Sequence, residues 1–180
     1  MKLVASLALV LLASPVLAQT APAAPATQTA PARWNGLTVA EITGRLTAAG
    51  LTVGAPQTHN DRVYLRVEDG QIRWIMTLFS CTQGACPDVQ FTAVFSGSNA
   101  TPEIVSRWNG SRRFVKAFRA APETEGGDPQ AVAQYDVLLS QGAGPEQLDD
   151  AIQVWRSLAL DLGATVSTPQ APAPATPPAQ

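Results

Sequence analysis

Apolar residues along this chain change period several times between residues 33 and 166, and each change marks an element. Val39, Ile42, Leu46 and Ala49 recur at helical spacing. Thr38 and Glu41 stand in the Ser/Thr-x-x-Glu relation of a capping box, and Gly50 suits the position just past a helix end. Three runs of period two follow. Val63, Leu65 and Val67 alternate with Tyr64, Arg66 and Glu68. Ile72, Trp74, Met76 and Leu78 alternate with Arg73, Ile75, Thr77 and Phe79. Val89, Phe91, Ala93 and Phe95 form the third run. Asp69-Gly70 is a two-residue hairpin signal between the first two, and residues 51–53 add a short strand. The pattern predicts an antiparallel meander with one buried face.

Beyond the meander, Thr101-Pro102 opens a second helix with Thr as cap and Pro at the first helical position. Ile104, Val105 and Trp108 form its apolar side, and Asn109-Gly110 is expected to end it. Two strands are predicted over 113–120 and 131–139, joined by a turn at Gly126-Gly127-Asp128-Pro129. Gly144-Pro145 opens a third helix, with Leu148, Ile152, Trp155 and Leu162 on one side and Ala151, Leu158 and Ala159 widening it. The expected class is α+β: an antiparallel sheet of five to six strands packed with three helices, in the order α-β-β-β-α-β-β-α.

Both ends depart from this patterning. Met1-Lys2, an apolar run over residues 3–12 and Val16-Leu17-Ala18 read as a secretory signal over 1–18, cut after Ala18. The run is shorter than the ~20 residues needed to span a bilayer, and no cysteine follows for a lipid anchor. No other apolar run is long enough to span. Residues 19–32 and 167–180 are Ala/Pro/Thr/Gln-rich and uncharged, and are expected to be a disordered linker and tail: solvated spacers, or Pro-rich ligands for a partner. The folded unit is then 33–166. The formal charge of -2 gives no electrostatic reason to expect nucleic acid or an anionic membrane as partner.

Candidate chemistry is sparse. Cys81 and Cys86 are the only cysteines, in a loop between two predicted strands. In an oxidising compartment a disulfide is their natural state; so short a loop contributes about 2 kcal/mol of chain entropy and fixes the strand register. A zinc site needs three or four ligands, and the chain adds only one histidine, His59, to the two thiols. The spacing also differs from the Cys-x-x-Cys redox motif. His59 precedes Asn60-Asp61 in a polar turn, without a Gly-x-Ser-x-Gly elbow anywhere. No phosphate loop or dinucleotide fingerprint occurs. No catalytic residue, metal or cofactor is expected. Asp149-Asp150 suits the first turn of the third helix.

The segment with most local character is basic. Arg107, Arg112, Arg113, Lys116 and Arg119 fall in an acid-free stretch interleaved with Trp108, Phe114 and Phe118. Arginine and aromatic residues are favoured anchors of protein interfaces. The alternative is that Trp108 and Phe114 are core and the arginines pair with scattered carboxylates. Arg107, Trp108, Asn109, Arg112, Arg113, Lys116 and Arg119 form the candidate interface.

The stretch Phe79-Ser80-Cys81-Thr82-Gln83-Gly84-Ala85-Cys86-Pro87-Asp88-Val89-Gln90-Phe91 resembles the paired-cysteine hairpin of exported members of the YbjN family, often labelled bacterial sensory-transduction regulators. Trp108-Asn109 followed by Arg112-Arg113-Phe114, and Gly142 followed by a helix with Trp155, are similar to its later parts. The resemblance covers about residues 37–162. It implies a fold like that of type III secretion chaperones and a non-enzymatic protein. The export signal and Pro-rich ends differ from cytoplasmic members. Three roles follow as expectations: a periplasmic or secreted protein-binding module acting on another envelope or secreted protein; a small-ligand sensor with a pocket between sheet and helices; or, third, a hydrolase. Native protein is expected to resist maleimide until reduced; stoichiometric labelling without reductant would contradict the disulfide.

Overall fold

A computed structural model describes residues 35–70, 72–141 and 144–167. The expected signal, the linker, Gly142 and all of the tail beyond Ser167 lie outside the described residues. Helix α1 (Val39–Ala48) starts where the capping box placed it. Glu41 N–H donates to Thr38 Oγ1, and the Glu41 carboxylate accepts from Thr38 N–H at 2.7 Å. That backbone bond holds the Glu41 carboxyl below its ordinary value.

Among the described residues the main sheet has seven strands, all antiparallel. It runs β2 (Thr52–Val53), β4 (Arg62–Asp69), β5 (Ile72–Phe79), β7 (Asp88–Ser96), β9 (Gln130–Leu138) and β8 (Lys116–Ala120), with β3 (Gln57–His59) also paired to β4. A separate two-stranded pair joins β1 (Leu37–Thr38) to β6 (Ala85–Cys86). Helix α2 (Pro102–Ser111) and helix α3 (Glu146–Ser167) complete the described helices. The long strands and the three helices follow the expected α+β order. The strand total exceeds five to six because β1, β3 and β6, of two or three residues each, are too short to carry a period.

Three local expectations are corrected. Asp69 pairs with Ile72 at the end of the β4–β5 ladder rather than lying in the turn, and its carboxylate accepts both Nε (2.7 Å) and Nη2 (2.8 Å) of Arg156. Asn109-Gly110 does not end α2, which continues to Ser111, because the Asn109 side chain is engaged elsewhere. Strand β8 begins at Lys116 rather than 113, because Phe114 takes a left-handed backbone (φ 66°) and Val115 N–H folds back to Arg113 C=O.

The core lies on one face of the sheet. Leu65 and Val67, then Trp74, Met76 and Leu78, then Val89, Phe91 and Ala93, then Ala131, Ala133 and Val137 all point to it. Helix α3 covers this face with Leu148, Ala151, Ile152, Trp155, Ala159, Leu162 and Val166. Trp155 sits 5.8 Å from Trp74 edge-on and 5.5 Å from Phe91, and Trp74 stacks on Phe91 at 5.4 Å. The indole N–H groups of Trp74 and Trp155 have no acceptor among the described residues, so packing and ring geometry hold this junction. Ion pairs then fix the helix lengthwise: Arg45 of α1 reaches Asp149, and Arg156 holds Asp69 while Nη1 donates to Ala49 C=O. Gly97 lets the chain after β7 lie against the far end of α3, where a Cβ would come 2.5 Å from Val166 C=O.

Cys81 and Cys86 are joined by a disulfide. Thr82 and Ala85 exchange both backbone bonds around Gln83-Gly84, whose positive φ values are those of a type I′ turn. Cys86 is fully buried and pairs with Leu37, and Gly36 (φ 118°) lies so close that a Cβ would meet Cys86 C=O at 2.4 Å. The bridge thus anchors the strand that leads into α1. Trp155→Ala is expected to cost about 3–5 kcal/mol in urea unfolding; a loss under about 1 kcal/mol would show that α3 is held by its ion pairs instead.

Candidate protein interface

The basic-aromatic segment divides into two sets. Trp108 is buried and its Nε1–H donates to Asp161 Oδ2 at 2.6 Å. Arg112 grips the same carboxylate with two bonds, Nε to Oδ2 at 2.9 Å and Nη2 to Oδ1 at 3.1 Å. Asn109 Oδ1 accepts from Ala117 N–H (2.8 Å) while Nδ2 donates to Ala117 C=O (2.7 Å), so one amide imitates a neighbouring strand along the edge of β8. Lys116 Nζ donates to the carbonyls of Asn109 (3.1 Å) and Arg112 (2.8 Å) near the end of α2. Trp108, Asn109, Arg112 and Lys116 therefore tie α2, β8 and α3 together.

Arg107, Arg113 and Arg119 are exposed, as are Phe114 and Phe118. Arg113 lies 4.9 Å from the centre of the Phe114 ring, which itself leans toward Tyr135 at 6.2 Å. Phe114 is thus a surface residue. Burial pushes the Tyr135 hydroxyl above its ordinary value. Asp161, unremarked in the sequence because it sits as one polar residue among helical positions, is the hub of the inner set. Its hydrogen bond from Arg112, aided by the one from Trp108, holds its carboxyl below the ordinary aspartate value against the opposing effect of burial.

Among the described residues the sheet's second face carries no helix. Its rows follow from the strand registers: Arg66, Ile75, Thr92, Gln134 and Lys116 in one, and Val94, Val132 and Phe118 in the next. Ile75 is 40%, Val94 50% and Phe118 47% exposed; Val94 and Phe118 flank Val132, which is only 8% exposed, and Ile75 stands one row away on β5. Beside them lies a polar strip in which Gln90 Nε2 donates to Asp136 Oδ1 at 2.8 Å. The signal that could have revealed this face is the apolar residues at outward-facing positions of the alternation: Ile75, Val94, Phe118 and Leu138. His59 lies exposed on β3, where Asn60 and Asp61 both take positive φ in the turn to β4. Among the described residues no group of three or more His, Cys, Asp or Glu side chains could hold a metal. No described helix is long and apolar enough to cross a membrane.

The model of the YbjN family, described as "Putative bacterial sensory transduction regulator", matches residues 38–167. The chain belongs to the YbjN family. The matched span runs from the α1 cap to the last residue of α3, so the α+β unit described above is the YbjN domain. No curated protein matches. Among solved structures the chain is similar to the crystal structure of YbjN, "a putative transcription regulator from E. coli", at 15% identity and TM-score 0.42, covering 69% of this chain and 85% of that one.

Asp161 generates a pH prediction. Its folded-state value is depressed, so the stabilisation is complete well above the unfolded value of about 4 and is lost as pH falls through the lower folded value. Stability measured from neutral pH downward is expected to fall less steeply in Asp161→Asn than in the wild type, after the variant's overall loss. Parallel curves would mean that Asp161 is not held by Arg112 in solution.

Proposed function

We propose that this YbjN domain is a non-catalytic protein-binding module that works outside the cytoplasm, as adaptor, chaperone or regulatory subunit for another envelope or secreted protein. The observation that carries the reading is the sheet face that no described helix covers, on which Ile75, Val94 and Phe118 stand exposed. Isolated exposed apolar residues are ordinary, but a contiguous set on a rigid sheet is the kind of surface that partners cover. Phe118 stands on the edge strand β8, next to Arg119 and shortly after Arg113 and Phe114, so the exposed arginines of the basic segment add charge along that edge of the sheet. The Cys81–Cys86 bridge supports an extracytoplasmic site of action, since disulfides persist in oxidising compartments. The signal-like start of the sequence agrees with it.

A photo-crosslinking residue at position 118 is expected to give discrete adducts in cells, and Val94→Asp to abolish them. The same probe at Leu160, an exposed position on α3, should give none of these adducts. Arg113→Glu is expected to weaken the adduct without affecting the fold, because Arg113 makes no carboxylate contact among the described residues. Absence of adducts at 118, or identical adducts from 118 and 160, would contradict the reading.

A further inference from the structure

The open face is not uniform, because the sheet forks along it. Pairing between β5 and β7 stops at Ile75↔Thr92. Both strands nevertheless continue, β5 remaining paired to β4 as far as Ile72 and β7 remaining paired to β9 as far as Ser96. The two halves of the sheet therefore part at one end. The resulting groove holds about 310 Å³ and is lined by Arg66, Glu68, Arg73, Trp74, Ile75 and Val94, among others. A second hollow, lined by Glu68, Gly70, Ile72, Arg73, Val94 and Phe95, shares three of these residues and continues the trough toward the β4–β5 turn.

The dimensions and lining select an occupant. Ligand pockets hold roughly 300–1,000 Å³ and enclose most of their ligand; this trough is at the lower bound and partly open to solvent, so it has room for side chains of an extended chain rather than for a whole enclosed ligand. Strand edges that have parted are also where an extended segment can be accommodated by backbone pairing, with alternate side chains filling the pockets. Charge adds direction. Glu68 is the only acid on the lining, and Arg73 lies 3.5 Å from it. Arg66, on the same face and directly across from Ile75, has no carboxylate partner among the described residues. The trough is thus apolar along Ile75 and Val94, with one uncompensated guanidinium beside them. We propose that it binds an extended peptide segment of a partner protein in which an apolar side chain, seated between Ile75 and Val94, is followed by a carboxylate that pairs with Arg66. The proposal rests on the protein-binding reading above and specifies the partner's chemistry.

The test uses the full, oxidised chain and three fluorescein-labelled peptides of alternating leucine with glutamate, lysine or glutamine. The glutamate peptide is expected to bind most tightly and to shift the backbone amides of residues 66, 73–75 and 92–94 in a nuclear magnetic resonance titration. Arg66→Glu should weaken that peptide about tenfold and reverse the preference toward lysine, with the variant's unliganded spectrum showing that its fold is kept. Absence of binding, indifference to the peptide's charge or to Arg66→Glu, or shifts confined to other residues would each overturn the proposal. Crosslinking at position 118 separates the two levels: adducts that survive Arg66→Glu would leave the open face as an interface and remove only the groove, whereas absence of adducts at 118 in the unmutated chain would remove the broader reading.

Discussion

The seating of Trp155 against Trp74 and Phe91 is the contact on which the domain depends. A sheet of this width buries its apolar face only if something wide lies across it, and α3 is the long element that does so. Trp155 reaches two neighbouring strands at once, and Phe91 passes the contact on to Tyr135 of β9. Neither central indole N–H is spent on a hydrogen bond among the described residues, so hydrogen bonding adds nothing to the hold of this cluster. Area removed from water and ring geometry must therefore supply its stability.

Packing of this kind fixes distance better than direction, and the direction of α3 is set by polar contacts along its flank. Asp149 meets α1, Arg156 meets the β4–β5 turn and the end of α1, and Asp161 meets α2 through Trp108 and Arg112. These pairs are partly exposed, so each adds little energy alone. Their value lies in geometry, because two of them are two-pronged Arg–Asp contacts that accept one orientation. Through Asp161 the helix also holds α2, and through Asn109 α2 closes part of the β8 edge.

Much of this was legible in the residues. The capping box, Thr101-Pro102 and the period-two runs located α1, α2 and the meander because each rests on local sterics or alternation. The shortest strands were not legible, because β1 and β6 are paired only through the disulfide turn and Gly36. The division of residues 107–119 was illegible for a different reason. Four of its seven candidate residues are engaged within the fold by partners such as Asp161 and Ala117, which adjoin the segment only once α3 and β8 are in place. The open face was half legible: Ile75 and Val94 stand at outward positions of their strands, but the fork between β5 and β7 depends on where pairing stops, which no alternation encodes.

One face filled and the other left uncovered by the described residues is the physical basis of the protein-binding proposal. It is tested most directly by methyl resonance broadening of the full oxidised chain with a soluble paramagnetic probe. The methyls of Ile75 and Val94 should broaden strongly while those of Ile152 and Leu162 stay sharp. Protection of Ile75 and Val94 equal to that of Ile152 would mean that the second face is covered too, and the account would fail.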